Sequence, residues 1–260
     1  MKVNRILALL YRDFLIFSRV KWRLAETFYF PITTILIWGL FSIFMGRFAV
    51  EAGLIVLVMN IFWNFAYTAQ NTTNMSMLED VWSGGFRQLF VSGITATEFV
   101  IARLLFSMII SLFLILVMSI ISYYVFDVSL IIQKFSIFTI LTFITMISSL
   151  ALAVIIAALL FVFGREYGFL AWTMLQLFIL LSAPFYTVDI LPKPVQYISQ
   201  LMPYTDVFES ARNLITTGTV SSNLLLRGFV ISISYLLISF PIYYSAFNLA
   251  RKNGNLVKLS

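Results

Sequence analysis

The stretch FSIFTILTFITMISSLALAVIIAALLFVF, residues 135–163, contains no charge, no proline and no glycine. It exceeds the ~20 residues that a helix needs to cross the hydrocarbon of a bilayer. It shows no two-residue alternation, so it does not read as a barrel strand. In lipid the backbone N–H and C=O groups must be satisfied within the segment, which leaves a helix. Five further apolar runs recur at 28–45, 54–77, 99–125, 168–188 and 229–247. The whole chain agrees with them: 61% of its residues are apolar and 11% are charged, against about 25% charged in a soluble domain. The reading is an all-α integral membrane protein with six transmembrane helices.

A net charge of +6 would suggest nucleic acid in a soluble protein. In a membrane it is a topology signal, because Lys and Arg gather on the cytoplasmic side, and no nucleic-acid partner is expected. With the N-terminus inside, the cytoplasmic face holds Lys2, Arg5, Arg12, Arg19, Lys21, Arg23, Arg87, Arg103, Arg165, Arg251, Lys252 and Lys258. The outer face keeps Arg47, Lys134, Lys193, Arg212 and Arg227. The expectation is a multi-pass protein of the cell membrane with both termini cytoplasmic. Arg12, Asp13 and Arg19 interrupt any signal-peptide core, so the start is expected to be retained.

Residues 1–23 form a segment of their own. Val3, Ile6, Leu7, Leu10, Phe14 and Phe17 recur at helical spacing, while Arg5, Arg12 and Arg19 repeat every seven residues on another stripe. This reads as an amphipathic interface helix whose arginines reach lipid phosphates. The alternative is a plain extended start to the first span.

The chemistry available is narrow. There is no Cys and no His, so thiolate sites, disulfides and the commonest general base are missing. None of the six apolar runs carries an acid near its middle, which speaks against an intramembrane aspartyl protease and against a proton-coupled carrier. The pattern G-x-x-x-x-G-K-[ST] is absent, so no P-loop cradles ATP here. One polar constellation does lie in a span. Asn60, Asn64, Tyr67, Asn71 and Asn74 follow steps of four and three, along one helical face. Amides in hydrocarbon need a polar counterpart. The stripe lines a translocation path or joins helices or protomers by hydrogen bonds.

The cytoplasmic connection 78–97 carries Glu79, Asp80, Gly84, Gly85, Arg87 and Gln88 beside Leu89, Phe90 and Val91. Gly84-Gly85 breaks the helix descending from the second span, and Thr95-x-x-Glu98 fits a capping box opening the third. A short helix between them is either a docking element or part of a solvated loop. Gly164-Arg165-Glu166-Tyr167 reads as a tight turn. On the outer side, Pro192, Pro194 and Pro203 divide the long connection 189–226. Short amphipathic helices are expected near 195–201 and between Pro203 and Gly218, at or dipping into the outer leaflet.

Two stretches carry a resemblance: EDVWSGGFRQLFVSGITATEFVIARLL, residues 79–105, and APFYTVDILPKPVQYISQLMPYTDVFESARNLI, residues 183–215. With the amphipathic start they make nearly the whole chain resemble the membrane (permease) subunit of ATP-binding-cassette type-2 exporters. The first stretch looks like that family's coupling-helix region, with Glu98 and Arg103 near its acidic and basic positions. The second resembles its re-entrant helix pair before the last span, where Pro203, Thr205, Glu209, Ala211 and Arg212 match the layout. The resemblance implies a single permease domain over 1–260 that works as a dimer with a second permease copy. Two cytoplasmic ATPase subunits would hold ATP and Mg, and this chain would bind no cofactor. Coupling would run through Glu79, Asp80, Gly84 and Arg87, with Arg165 and Glu166 as secondary contacts. The second and fifth spans would face the dimer axis.

Family members export drugs, lipids or lipid-linked glycans, and the start YRDFLIFSRVKWRLAETFYFP, residues 11–31, looks closest to the drug and lipid branch. The competing readings are a stand-alone ion-coupled carrier or channel, and an anchoring protein without transport of its own. An enzyme comes last, for want of catalytic groups.

Overall fold

A computed structural model describes residues 2–47 and 49–253, and every regular element among them is helical. Helix α1 (Val3–Arg19) is followed by α2 (Lys21–Gly46), α3 (Val50–Trp82), α4 (Gly85–Val91), α5 (Ala96–Phe126) and α6 (Phe135–Phe163). Then come α7 (Leu170–Leu181), α8 (Lys193–Leu201), α9 (Thr205–Thr216) and α10 (Ser222–Lys252). Helices α2, α3, α5, α6 and α10 are long and apolar enough to cross a membrane.

The fifth apolar run, expected over 168–188, becomes a shorter apolar helix over Glu166–Leu181. It opens with a 3-10 turn at Arg165–Phe169 and stops at Leu181. Ala183 then adopts a left-handed conformation with φ 51°, and Pro184 follows without an N–H to continue the ladder. Hydropathy alone extends the run because Ala183, Phe185 and Tyr186 are apolar, but their backbone is not helical.

Helix α3 is the axis of the bundle and packs against α2, α5 and α6, while α6 lies along α10. Its buried face includes Leu57, Ile61, Phe62, Phe65 and Ala69, all without exposure. At 33 residues it is about 50 Å long, more than the ~30 Å hydrocarbon requires. Gly39 sets the approach of α2 to the end of α5, because a Cβ there would lie 2.1 Å from the Phe126 ring. Apolar side chains such as Ile37, Leu40 and Phe44 on α2 and Leu237 and Ile238 on α10 remain exposed, as lipid-facing surfaces do.

The expected short helix between the glycine breaks is α4. Gly84 at φ 69° starts it and Gly93 at φ 84° ends it, both in the left-handed region that glycine enters at little cost. The capping box is present: Glu98 N–H donates to Thr95 Oγ1 at 3.2 Å, and Thr95 N–H donates to Glu98 Oε2 at 3.0 Å.

Helices α8 and α9 form a hairpin that enters the bundle. Its turn carries Pro203 and Tyr204. The Ser148 hydroxyl donates to the Pro203 carbonyl at 3.3 Å, and the hydroxyls of Ser149 and the wholly buried Tyr204 lie 3.1 Å apart. Ser148 and Ser149 sit halfway along α6, so the hairpin turns about 20 Å from either end of that helix. Val207, Phe208, Ala211 and Leu214 bury one face of α9 among α3, α6 and α10.

Candidate functional site

Two polar regions stand out from this apolar frame. The first is the end of the bundle where α1 lies. Helix α1 packs on α5 through Ile6, Leu9 and Phe17, with Phe14 and Phe17 edge-on to Phe106 at 5.0 and 5.6 Å. Asp13 lies on this same inward face, 2% exposed. A carboxylate there must meet an opposite charge, and it meets Arg103 of α5, which has no exposed surface. The Arg103 guanidinium forks between Asp13 and Asp80, and its carbon lies 4.8 Å above the centre of the Phe99 ring. Arg12 lies 2.8 Å from Asp80 and Arg23 pairs with Glu79. Arg5 lies 3.6 Å from Glu98, which also accepts the Lys2 backbone N–H at 2.7 Å. Burial pushes the Asp13 carboxyl up from its ordinary value, while Arg103 and Arg12 pull it down.

The sequence reading sent Arg5, Arg12 and Arg19 to lipid phosphates. Only Arg19 is fully exposed. Arg5 and Arg12 turn inward because Glu98, Asp13 and Asp80 are buried acids whose desolvation must be offset by nearby cations. A second apolar arc of α1, Val3, Leu7 and Tyr11, remains exposed.

Glu79 and Asp80 are thus engaged within the chain. The exposed described side chains of the 78–98 region include Trp82, Ser83, Gln88, Val91 and Ser92. Gly84 supplies the turn into α4, and Glu166 is exposed at the neighbouring 3-10 turn. The side chains of Arg87 and Arg165, and Lys258, lie outside the described residues. An aromatic hub anchors α4. Phe86, 1% exposed, lies 5.5 Å from Phe99 of α5 and 5.7 Å from Phe161 of α6, and Phe90 lies 5.1 Å from Phe247 of α10.

The second region is the amide stripe on α3, which the structure divides. Gln70 and Asn74, wholly buried, turn toward α6 and α7. Gln70 Nε2 donates to Asn74 Oδ1 at 2.6 Å and to the Ala171 carbonyl at 2.9 Å, while Asn74 Nδ2 donates to the Ala153 carbonyl at 2.9 Å. These two hold helices together. Asn60, Asn64, Tyr67 and Asn71 face the other way, toward α2. Asn64 Nδ2 donates to the Asn60 carbonyl at 2.9 Å, and Thr34 of α2 donates to Asn64 Oδ1 at 3.1 Å. Here α2 and α3 part to form an open cleft of about 320 Å³, lined by Glu26, Thr34, Trp38, Asn60, Trp63, Asn64, Tyr67 and Gln176 among others.

Glu26 went unrecognised in the sequence because the first apolar run begins at Phe28, whereas the helix begins at Lys21. It lies in a π-helical turn, Ala25–Tyr29, directly before Pro31. Proline cannot donate to the ladder, and such widened turns re-aim side chains.

At the far end Asp206, 2% exposed, takes a two-pronged bond from Arg227 of α10, with Nε at 2.9 and 3.1 Å. Arg212 donates to the carbonyls of Ala183, Pro184 and Tyr186 at 2.7, 3.2 and 2.6 Å, clamping the irregular exit from α7. Glu209 lies near enough to support its charge. Thr205 is buried and donates to the Ser199 carbonyl at 2.5 Å. Among the described residues no cluster of His, Cys, Asp or Glu is arranged to hold a metal ion.

No curated protein matches the chain. The family described as ABC-2 type transporter matches residues 4–216, which takes in the ion-paired end, the cleft and the α8–α9 hairpin. The chain therefore belongs to the ABC-2 type transporter membrane family.

Proposed function

We propose that this chain is the permease half of an ATP-driven exporter, paired with a second permease copy and served by separate cytoplasmic ATPase subunits that bind ATP and Mg. Membership of the ABC-2 type transporter family supports the permease reading. The observation that carries the mechanism is the aromatic hub, by which one short helix grips the ends of α5, α6 and α10 at once. A push on α4 reaches three spans without passing through a flexible loop. Gly84 gives α4 its direction, and the pairs of Asp80 and Glu79 tie α1, α2 and α5 to the end of α3 from which it starts.

In this reading the ion-paired end is cytoplasmic, with both termini inside and α1 lying on the inner leaflet by its Val3, Leu7 and Tyr11 arc. The exposed tip at Trp82, Gln88 and Val91, together with Arg87, meets the ATPase, and Arg165 and Glu166 form a second contact. Helix α7 completes a sixth, shorter crossing, and the α8–α9 hairpin is re-entrant from the outer side, held there by Thr205, Glu209 and Arg212. The cleft at Asn60, Asn64, Tyr67 and Asn71 is the part of the translocation path contributed by one subunit, with Asn74 bracing it from behind. The cargo is a drug, lipid or lipid-linked glycan.

The absence of native cysteine makes a direct test simple. A single cysteine at Gln88 should crosslink to a P-loop ATPase in native membranes, and one at the outer position Thr219 should not. Crosslinking of the cell's ATPases from Thr219 but never from Gln88 would invert the topology and end this reading. A stand-alone carrier would crosslink to no ATPase from either position.

A further inference from the structure

Within the cleft, Glu26 makes no hydrogen bond or ion pair with any described residue, whereas Glu98, Asp80, Glu79 and Asp13 are each ion-paired. It lies on α2 opposite Tyr67, which is midway along α3. Half-buried among apolar and aromatic side chains, an unpaired carboxylate costs free energy. A second group waits beside it. Asn71 is 7% exposed and its Oδ1 has no partner. Both line a small inner pocket of about 30 Å³, which adjoins the wide cleft at Glu26, Pro31 and Tyr67. A buried amide oxygen without a donor is unfavourable. Here two acceptors, one of them charged, share a space the size of one or two waters.

The wide part has a different character. Phe30, Trp38, Trp63 and Tyr67 present aromatic surface, with amides at Asn60, Asn64 and Gln176. Aromatic faces attract cations and accept flat apolar bodies. Arg23 also lines the inner pocket, but it is turned to Glu79 and Ser76, so its charge is answered outside the cleft.

We propose that the cleft is a binding site for cationic amphiphiles, with a primary or secondary ammonium in the inner pocket between Glu26 and Asn71 and an aromatic body against Trp38 and Trp63. The ammonium supplies the N–H donors that Asn71 Oδ1 lacks and the positive charge that Glu26 lacks. A cleft of about 320 Å³ is at the lower end of the range for drug-sized ligands, which favours a body of two or three fused rings. This assignment rests on reading the cleft as part of the transport path, and it names the class of cargo.

The test uses the full chain in lipid nanodiscs with monodansylcadaverine, an aromatic primary amine, and its N-acetylated form, which is neutral and nearly the same shape. Binding is read by energy transfer from tryptophan to dansyl. The amine is expected to bind at least ten-fold tighter than its acetylated form. Glu26→Gln should abolish that preference, and Asn71→Leu should reduce it several-fold while the acetylated form changes little. Equal binding of the two probes to the unaltered chain overturns the proposal without reliance on any variant. A preference that survives Glu26→Gln overturns it as well. The export reading is scored separately: probe discrimination in a chain that recruits no ATPase would keep the site and remove the exporter, and equal probe binding in a chain that does recruit one would do the reverse.

Discussion

Arg12 Nη2 lies 2.8 Å from both carboxylate oxygens of Asp80, joining the first helix to the end of α3 across 68 residues of chain. Arg103 reaches the same carboxylate from the other side and holds Asp13 with its second arm. Helix α1 is therefore tied to the bundle by charge as well as by apolar packing, which fixes its rotation.

That tie predicts a large cost for removing its centre. Arg103→Met leaves Asp13 and Asp80 without their buried partner, and breaking one side of a buried pair typically costs about 3–5 kcal/mol. Thermal unfolding of the detergent-purified variant should show a strongly lowered midpoint. Adding Asp13→Asn to it should recover much of the loss, because the carboxylate that relied most on Arg103 is then gone, while Asp80 keeps Arg12. An unchanged midpoint for Arg103→Met would show that the network is not formed.

The amide stripe should give two separate phenotypes. Asn74→Leu removes one acceptor from the buried Gln70 amide and the bond to the Ala153 carbonyl, at about 1–3 kcal/mol for buried hydrogen bonds lost, and is expected to lower stability. Asn64→Leu faces the cleft and should lower the unfolding free energy by no more than about 1 kcal/mol while impairing transport. Equal loss of stability from both would mean that the stripe is structural throughout.

Gly39 makes a steric prediction. A Cβ at that position meets the Phe126 ring at 2.1 Å, so Gly39→Ala must displace that ring. Overpacking of this kind costs about 1–3 kcal/mol, visible as a lower unfolding midpoint. Phe126→Leu in the same chain should restore much of it by giving the new methyl room.

The hub predicts a defect in coupling. Phe86→Ala removes the ring shared by α4, α5 and α6, with a cost of about 3–5 kcal/mol expected for a buried phenylalanine. Phe86→Leu keeps much of the volume and should fold. In Phe86→Leu, substrate should stimulate the partner's ATP hydrolysis less than in the parent chain, with unstimulated hydrolysis retained. Full stimulation would mean that α4 does not carry the signal.

Much of the scaffold was legible because its signals are local. Five spans, the Gly84 start of α4, the Thr95–Glu98 box and the two short helices α8 and α9 all follow from runs, breakers and caps within a few residues. What was not legible depends on contacts between distant parts of the chain. Asp13 reads as a flaw in an apolar start, yet its place among Ile6, Leu9 and Phe17 on one helical face signals a buried cation opposite. Glu26 was lost to a boundary set by hydropathy, which stops at charge even where the helix continues. The depth of Tyr204 follows from its pairing with Ser149, 55 residues away, and no spacing rule contains that.

The central claim is that this permease is driven by a separate ATPase. The most direct measurement is mild-detergent purification of the tagged chain from its native host, with mass spectrometry of every retained protein. A stoichiometric P-loop ATPase is expected, lost on chemical modification of a Gln88→Cys variant and kept when the unmodified variant is used. Repeated recovery of the intact, folded chain without any ATPase would contradict it and leave the α2–α3 cleft as the path of a carrier that acts alone.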